Sequence, residues 1–343
     1  MHYARKVFLV IAAGAAAFFL FMMALDTSIV RVIGSPEPIK KILADSGIYE
    51  SAISSTLEQI GQEGSGNGEV AFGSQIVVSA ADATLSGQYL KATVDGVLDS
   101  IYRWLDGSTQ VPDFRIDLSA KKEEFAKKVA AGVEKHVAGL PACKTAASNE
   151  FDAFSAKCRP AGLSASSAAG EARREILRSE EFLKDTVITA DDFKAAGSNE
   201  PFFTGQLKDI PAAYQSLKAS PLALGVAGFL ALTAVFFLSS SRLVGLRNVG
   251  FILIGAGIFF LLLGSAVNAL VDNKILPQIS LENAVFEQDL RQLVGSLSSR
   301  VSNTLSAFGG GYSILGGISV GTYYFVRHRQ PASAAKAVGT KKK

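Results

Sequence analysis

The chain carries two cysteines, Cys143 and Cys158, and three histidines, His2, His136 and His328, and these few residues bound the chemistry it could do. The cysteines have 14 residues between them. That is far from the Cys-x-x-Cys spacing of a redox pair, and two sulfurs without histidine partners do not complete a zinc site. In an oxidising compartment such a pair reads as a structural disulfide. Closing a loop of about 15 residues stabilises by about 3 kcal/mol in the chain-entropy model. His2 and His328 flank long apolar runs, which leaves His136 as the one imidazole in the polar part, on the helical pattern "EEFAKKVAAGVEKHVAGL". There it reads as a partly exposed helix residue before it reads as a catalytic base.

The carboxylate pairs Glu123/Glu124, Glu180/Glu181 and Asp191/Asp192 are adjacent in sequence. In a helix or a strand neighbours point in different directions, so these pairs read as solvated faces rather than convergent acids. Gly-x-Ser-x-Gly, His-Glu-x-x-His, P-loop and dinucleotide fingerprints are absent from the sequence. The glycine-rich stretches at 61–68 and 309–317 lack the flanking strand and lysine of a phosphate cradle. The expectation is a non-enzymatic protein with no catalytic residue, cofactor or metal ligand to assign.

The elements that would carry these residues follow from hydropathy. Of 343 residues 48% are hydrophobic, mean hydropathy is +0.27 and the formal charge is only +3, so part of the chain is membrane and part is not. A bilayer core needs about 20 mostly apolar helical residues. Four runs meet that length, 7–25, 221–238, 250–270 and 305–326. The fourth, "LSAFGGGYSILGGISVGTYYFV", is rich in glycine and serine and rests on its context: Tyr323 and Tyr324 suit an interfacial belt, and Arg327, His328 and Arg329 follow at once. The first, preceded by Arg5 and Lys6, is either an uncleaved anchor or a signal peptide. Its 19-residue apolar core and the lack of a small-x-small cleavage site favour the anchor.

With four spans, residues 1–6, 239–249 and 327–343 share one compartment, and 26–220 and 271–304 share the other. The first set holds ten Lys and Arg and no Asp or Glu, whereas all 31 carboxylates fall in the second. Short loops rich in Lys and Arg stay cytoplasmic, so both termini and the hairpin 239–249 are expected inside a bacterial plasma membrane and 26–220 outside it. Two readings fit the terminal "TKKK": a solvated tail, or a tether to the lipid bilayer at roughly 1 kcal/mol per basic residue near an anionic surface. No basic patch is interleaved with aromatics, so nucleic acid is not an expected partner.

The outer segment is mainly helical by periodicity. Ile48, Ala52, Ile53, Leu57 and Ile60 recur at steps of three and four. So do Leu90, Val94, Val97, Leu98, Ile101 and Leu105, and a third helix runs from Ser119, read as its N-cap, through Phe125, Val129, Val133 and Val137. "FRIDL" and "TVITADDF" read as short extended pieces, and 61–69 and 161–172 as flexible loops. The fold class is therefore an all-α membrane protein with four transmembrane helices, a mainly helical extracytoplasmic domain and minor extended segments.

None of the four runs contains Asp, Glu, Lys, Arg or His, unlike the spans of transporters and pumps, so the bundle reads as an anchor. Gly317 and Gly321 offer the four-residue step of close helix packing, either within the monomer or in a homo-oligomer. Gly309, Gly310 and Gly311 read as a helix break or a hinge. In 271–304, Phe286, Leu290, Leu293, Leu297 and Val301 line one helix face. This stripe is expected either to couple the outer domain to the bundle or to lie on the lipid surface.

The stretches "YLKATVDGVLDSIYRWLDG", "FRIDLSAKKEEF", "GLPAC" with a later "CRPAG", and "GLRNVGFILIGAGIFFLL" give the chain a likeness over most of its length. It resembles a group of uncharacterised bacterial four-span envelope membrane proteins with a large extracytoplasmic domain after the first span. That resemblance implies a location and a disulfide, and no activity. In topology the chain is also similar to permease subunits of the cell-division and macrolide-export kind of ABC system, which transmit force between an ATPase and an outer partner. The inner joint of eleven residues here leaves little for an ATPase to grip. The leading expectation is an outer domain that binds an extracytoplasmic partner or supports the envelope, with the mechanical transmitter and an envelope enzyme without a recognisable motif as the alternatives.

Overall fold

The computed structural model describes residues 2–63, 74–143, 151–179, 185–194, 200–280 and 284–329. The chain is all-α, with one two-stranded ribbon among the described residues. In chain order the elements are α1 (His2–Ile33), α2 (Pro36–Asp45), α3 (Ile48–Glu63), α4 (Gln75–Thr84), α5 (Gly87–Leu105), β1 (Arg115–Asp117), α6 (Ser119–Gly139), α7 (Ala165–Arg178), β2 (Val187–Thr189), α8 (Ile210–Leu238), α9 (Arg242–Leu270) and α10 (Ala284–Arg329). They form two compact units: one of Met1–Ile39, Ala212–Ile279 and Val294–Lys343, the other of Lys40–Pro211 and Ser280–Leu293. The compact polar unit is therefore shorter at both ends than the segment 26–220, because α1 runs on to Ile33 and α8 already starts at Ile210.

The polar unit is built around α6. Phe125, Val129, Val133 and Val137 step by four along one face and are fully buried. Removing each such side chain from water contributes roughly 1.5–3 kcal/mol. Val77, Ala80 and Ala81 of α4 cover one side, and Ala168, Ala172 and Ile176 of α7 cover another. Helix α7 corrects the loop expected at 161–172. Its composition looks flexible, but Ser164 caps the helix by accepting from the Ser167 N–H at 3.0 Å, and alanines at a four-residue step let it approach α6 closely. A second correction concerns Ser119, which is the first residue of α6 and not its cap. Asp117 does that work, its Oδ1 accepting the Ser119 N–H at 3.0 Å.

The two extended pieces pair with each other. Arg115 stands opposite Thr189, Ile116 opposite Ile188 and Asp117 opposite Val187 in antiparallel register. Edge-to-face rings hold the ribbon's surroundings, with Trp104 and Phe203 centroids 5.4 Å apart and Phe114 and Phe193 5.9 Å apart.

In the other unit, α1 and α8 run antiparallel. Arg5 donates to the carbonyls of Leu238 and Ser239 at one end, and Tyr214 donates to the Gly34 carbonyl at 2.7 Å toward the other. Pro221 lies inside α8, where it leaves a carbonyl without its usual N–H donor. The Ser220 hydroxyl is 2.8 Å from the Leu217 carbonyl and 2.6 Å from Asp26 Oδ2, so it serves that break and the α1 contact. Helices α9 and α10 also run antiparallel, and Leu20, Ala24, Leu253, Phe260, Leu305 and Tyr312 form the core. Outside it the surface is apolar: Leu222 is 79% exposed, Phe229 and Phe237 are each 69% exposed, and Leu262 is 66% exposed.

Three stretches of helix are long and apolar enough to cross a membrane, Tyr3–Ile33, Ile210–Leu238 and Arg242–Gln278. The run 305–326 is helical but is not among them, its glycines and serines diluting its apolar content. It does not stand alone either: α10 is one unbroken helix of 46 residues, about 69 Å at 1.5 Å per residue. Gly309, Gly310 and Gly311 pass through it without a break, correcting the expected helix break.

Candidate functional site

A groove of about 770 Å³ runs along α4 and α6 in the polar unit. Its floor is apolar because Gly132 lets α4 approach. A methyl group at Gly132 would stand 2.6 Å from Ile76 Cγ2. Lys128, Lys135 and His136 line it from the α6 side, Lys128 and Lys135 on one face by their seven-residue, two-turn spacing. Lys128 Nζ donates to the Ala83 carbonyl at 2.6 Å and lies 3.0 Å from Glu124. Lys135 has no ion-pair partner among the described residues.

His136 Nε2 is 3.1 Å from the Ala156 carbonyl oxygen. A carbonyl oxygen can only accept, so Nε2 carries the proton and donates it. The imidazole thereby ties α6 to the connection that leads into α7. The same connection holds the disulfide: Cys143 and Cys158 are bonded with their Cα atoms 5.0 Å apart. Backbone bonds flank it, Cys143 N–H to the Arg159 carbonyl at 3.0 Å and Arg159 N–H to the Pro141 carbonyl at 2.8 Å. His136 and the bridged sulfurs thus secure one end of α6.

Three of the six paired carboxylates have structural partners. Glu123 meets Arg173 of α7 at 2.9 Å and Lys127 at 3.5 Å. Glu124 lies 2.8 Å from Lys121 and 3.0 Å from Lys128, whose hydrogen bonds hold its carboxyl below the usual range. Asp192 closes a capping box with Thr189, and the Thr189 N–H and then its hydroxyl hold that carboxyl low. Glu180 and Glu181 lie outside the described residues. Among the described residues no three His, Cys, Asp or Glu side chains converge as metal ligands would.

Gly317 and Gly321 are on the open side of α10, where a methyl group on either would meet nothing within 4 Å beyond its own helix backbone. The close helix contact runs through other small residues, seven apart: Gly250, Gly257 and Gly264 of α9 against Gly316, Gly309 and Ser302 of α10. Ser302 Oγ donates to the Gly264 carbonyl at 2.8 Å. The signal in the sequence was a seven-residue period of small residues rather than a local four-residue step. Of the stripe on α10, Phe286, Leu290, Leu293, Leu297 and Val301 are all half-buried, and Val301 packs on the bundle core. Polar contacts accompany it and were not expected: within the polar unit Asp289 accepts from the Ser51 hydroxyl, and Gln292 Nε2 donates to the Asp45 carbonyl at 2.8 Å. The terminal "TKKK" and residues 64–69 lie outside the described residues, and 61–63 of the loop expected at 61–69 are instead the end of α3.

Compared with known proteins, the chain matches no family model, no curated protein and no solved structure.

Proposed function

We propose that the chain is a non-enzymatic, four-span protein of the bacterial plasma membrane whose outer helical domain holds an extracytoplasmic partner. Both termini and the hairpin 239–249 are cytoplasmic in this reading, and α10 supplies the fourth span through 305–326. One observation carries it: all 31 carboxylates lie outside the four apolar runs and the three basic segments that share a side with the termini. The bridged sulfurs support it, since a disulfide persists in an oxidising compartment. The groove along α4 and α6, apolar in its floor and lined by Lys128 and Lys135, suits an amphipathic acidic segment of the partner.

Sulfhydryl accessibility tests the orientation. Spheroplasts treated with an impermeant phosphine and then an impermeant maleimide should label Cys143 and Cys158 before permeabilisation, and labelling only afterwards overturns it. For the partner, a photo-crosslinking residue at Ser79 on the groove should capture one protein in living cells that the same residue at exposed Gly170 does not. Equal capture at both places removes the groove from the proposal.

A mechanical transmitter of the ABC-permease kind is the second reading, favoured by α10, whose residues 284–293 belong to one unit and 294–329 to the other. Co-purification of a cytoplasmic ATPase with the full chain would select it.

A further inference from the structure

The bundle gathers positive charge at one end, with no carboxylate to meet it among the described residues. Arg5 reaches the carbonyls that close α8, Asn248 Nδ2 donates to Ser239 Oγ at 3.2 Å, and Arg247 and Arg327 both lie over the ring of Tyr323. Their guanidinium carbons are 5.3 Å and 5.8 Å from the ring centroid. Arg327 Nη1 also donates to the Tyr323 hydroxyl at 2.7 Å, and the tyrosine itself is only 4% exposed. Arg247 Nε is buried without a hydrogen-bond partner among the described residues. No carboxylate can come from the neighbourhood in sequence, because residues 1–25, 239–271 and 301–343 contain no Asp or Glu.

Two like charges held over one ring repel each other, and attraction to the ring face offsets that only in part. An anion that reached both guanidinium groups would offset the repulsion. Guanidinium forks match the paired oxygens of a phosphate. The setting selects which phosphate. The helices that carry the two arginines are apolar on their outer surfaces, with Phe251 53%, Ile318 61% and Phe325 58% exposed, and Tyr323 and Tyr324 mark the level at which aromatic residues meet headgroups.

We propose that Arg247 and Arg327, oriented by Tyr323, form a site for the phosphate of an anionic phospholipid headgroup at the membrane surface. The inference rests on the four-span reading, since α10 brings Tyr323 and Arg327 to that surface only if its last third is a span. The site differs from the tether offered by the terminal lysines in being made of fixed side chains.

The test uses the full chain in nanodiscs of phosphatidylcholine alone and of phosphatidylcholine with phosphatidylglycerol, followed by native mass spectrometry of the lipids retained on release. Wild type should retain phosphatidylglycerol over phosphatidylcholine by about fivefold per arginine, roughly thirtyfold in all. Arg247→Gln with Arg327→Gln should bring the ratio near parity, while Arg242→Gln, at an exposed arginine with no contact to Tyr323, should leave it unchanged. Equal loss in Arg242→Gln would overturn the site in favour of diffuse charge. Displacement of the lipid by millimolar glycerol 3-phosphate would assign the site to a soluble phosphate ester and overturn the lipid proposal. Should the double variant fail to fold, the wild-type ratio still decides, because parity there overturns the site alone. A C-terminal tag found in spheroplasts on the same side as residues 26–220 overturns the four-span reading and the site together.

Discussion

Gly250 of α9 and Gly316 of α10 each occupy the space that a side chain on the other would need. A methyl group on Gly250 would stand 2.9 Å from the Gly316 carbonyl oxygen, and one on Gly316 would stand 2.6 Å from the Gly250 carbonyl oxygen. One turn pair further along, Gly257 and Gly309 repeat the relation, a methyl on Gly309 standing 2.9 Å from the Gly257 carbonyl oxygen. Backbone meets backbone there, so no side chain can move aside to make room.

Valine at Gly309 or Gly316 should therefore destabilise the bundle by about 1–3 kcal/mol, the usual cost of overpacking. Valine at Gly317, which has open space around it, should change stability by less than about 0.5 kcal/mol. Thermal unfolding of the full chain in one detergent, followed by helical circular dichroism, separates the two outcomes.

Serine in place of both Cys143 and Cys158 should lower the stability of the polar unit by about 3 kcal/mol. A reducing agent should reproduce that loss in wild type and add nothing in the double variant. His136→Ala should show a smaller loss of about 1 kcal/mol, since it deletes only the bond to the Ala156 carbonyl.

On α7 two neighbouring changes should act in opposite directions. Gly170 is exposed with open space around it, so Gly170→Ala should stabilise by about 0.5–1 kcal/mol through helix propensity. Ala172 is 3% exposed against α6, so Ala172→Leu should destabilise by about 1–3 kcal/mol. Denaturant midpoints of the two variants check both signs.

Several carboxyls of the polar unit are held low. The Ser100 hydroxyl at 2.7 Å and the Arg103 guanidinium at 2.6 Å do so for Asp113, and the Thr189 N–H and hydroxyl for Asp192, each below an ordinary value of 3.8. An acid whose folded-state value is depressed adds stability that is fully present above its unfolded value and is lost as pH falls through the folded one. Stability should hold level from neutral pH to about pH 5 and fall below about pH 4. Asp192→Asn should flatten that acid limb, as read from unfolding midpoints across the range.

Periodicity made the main helices legible, because burial on one face leaves a three-four spacing that Val129, Val133 and Val137 display plainly. It misjudged α7, where alanine and serine carry the contact and look like linker composition until a partner helix is present. The extended pieces were readable singly, but not their pairing, since Ile116 and Ile188 are distant in sequence. Of the bundle's glycines, Gly317 and Gly321 satisfy a familiar step but face open space within the monomer, while the contact of α9 with α10 depends on which face α9 takes, a property of two helices at once. The arginine pair over Tyr323 was hidden for the same reason, its members coming from α9 and α10.

The ribbon of β1 and β2 has a consequence in time. About 70 residues separate Asp117 from Val187, so at about 5–20 residues per second the ribosome delivers the second strand some 4–14 s after the first. Through that interval the nascent Ile116 edge stands open to any extended polypeptide nearby, and a folding factor that shields it would act until β2 has been made.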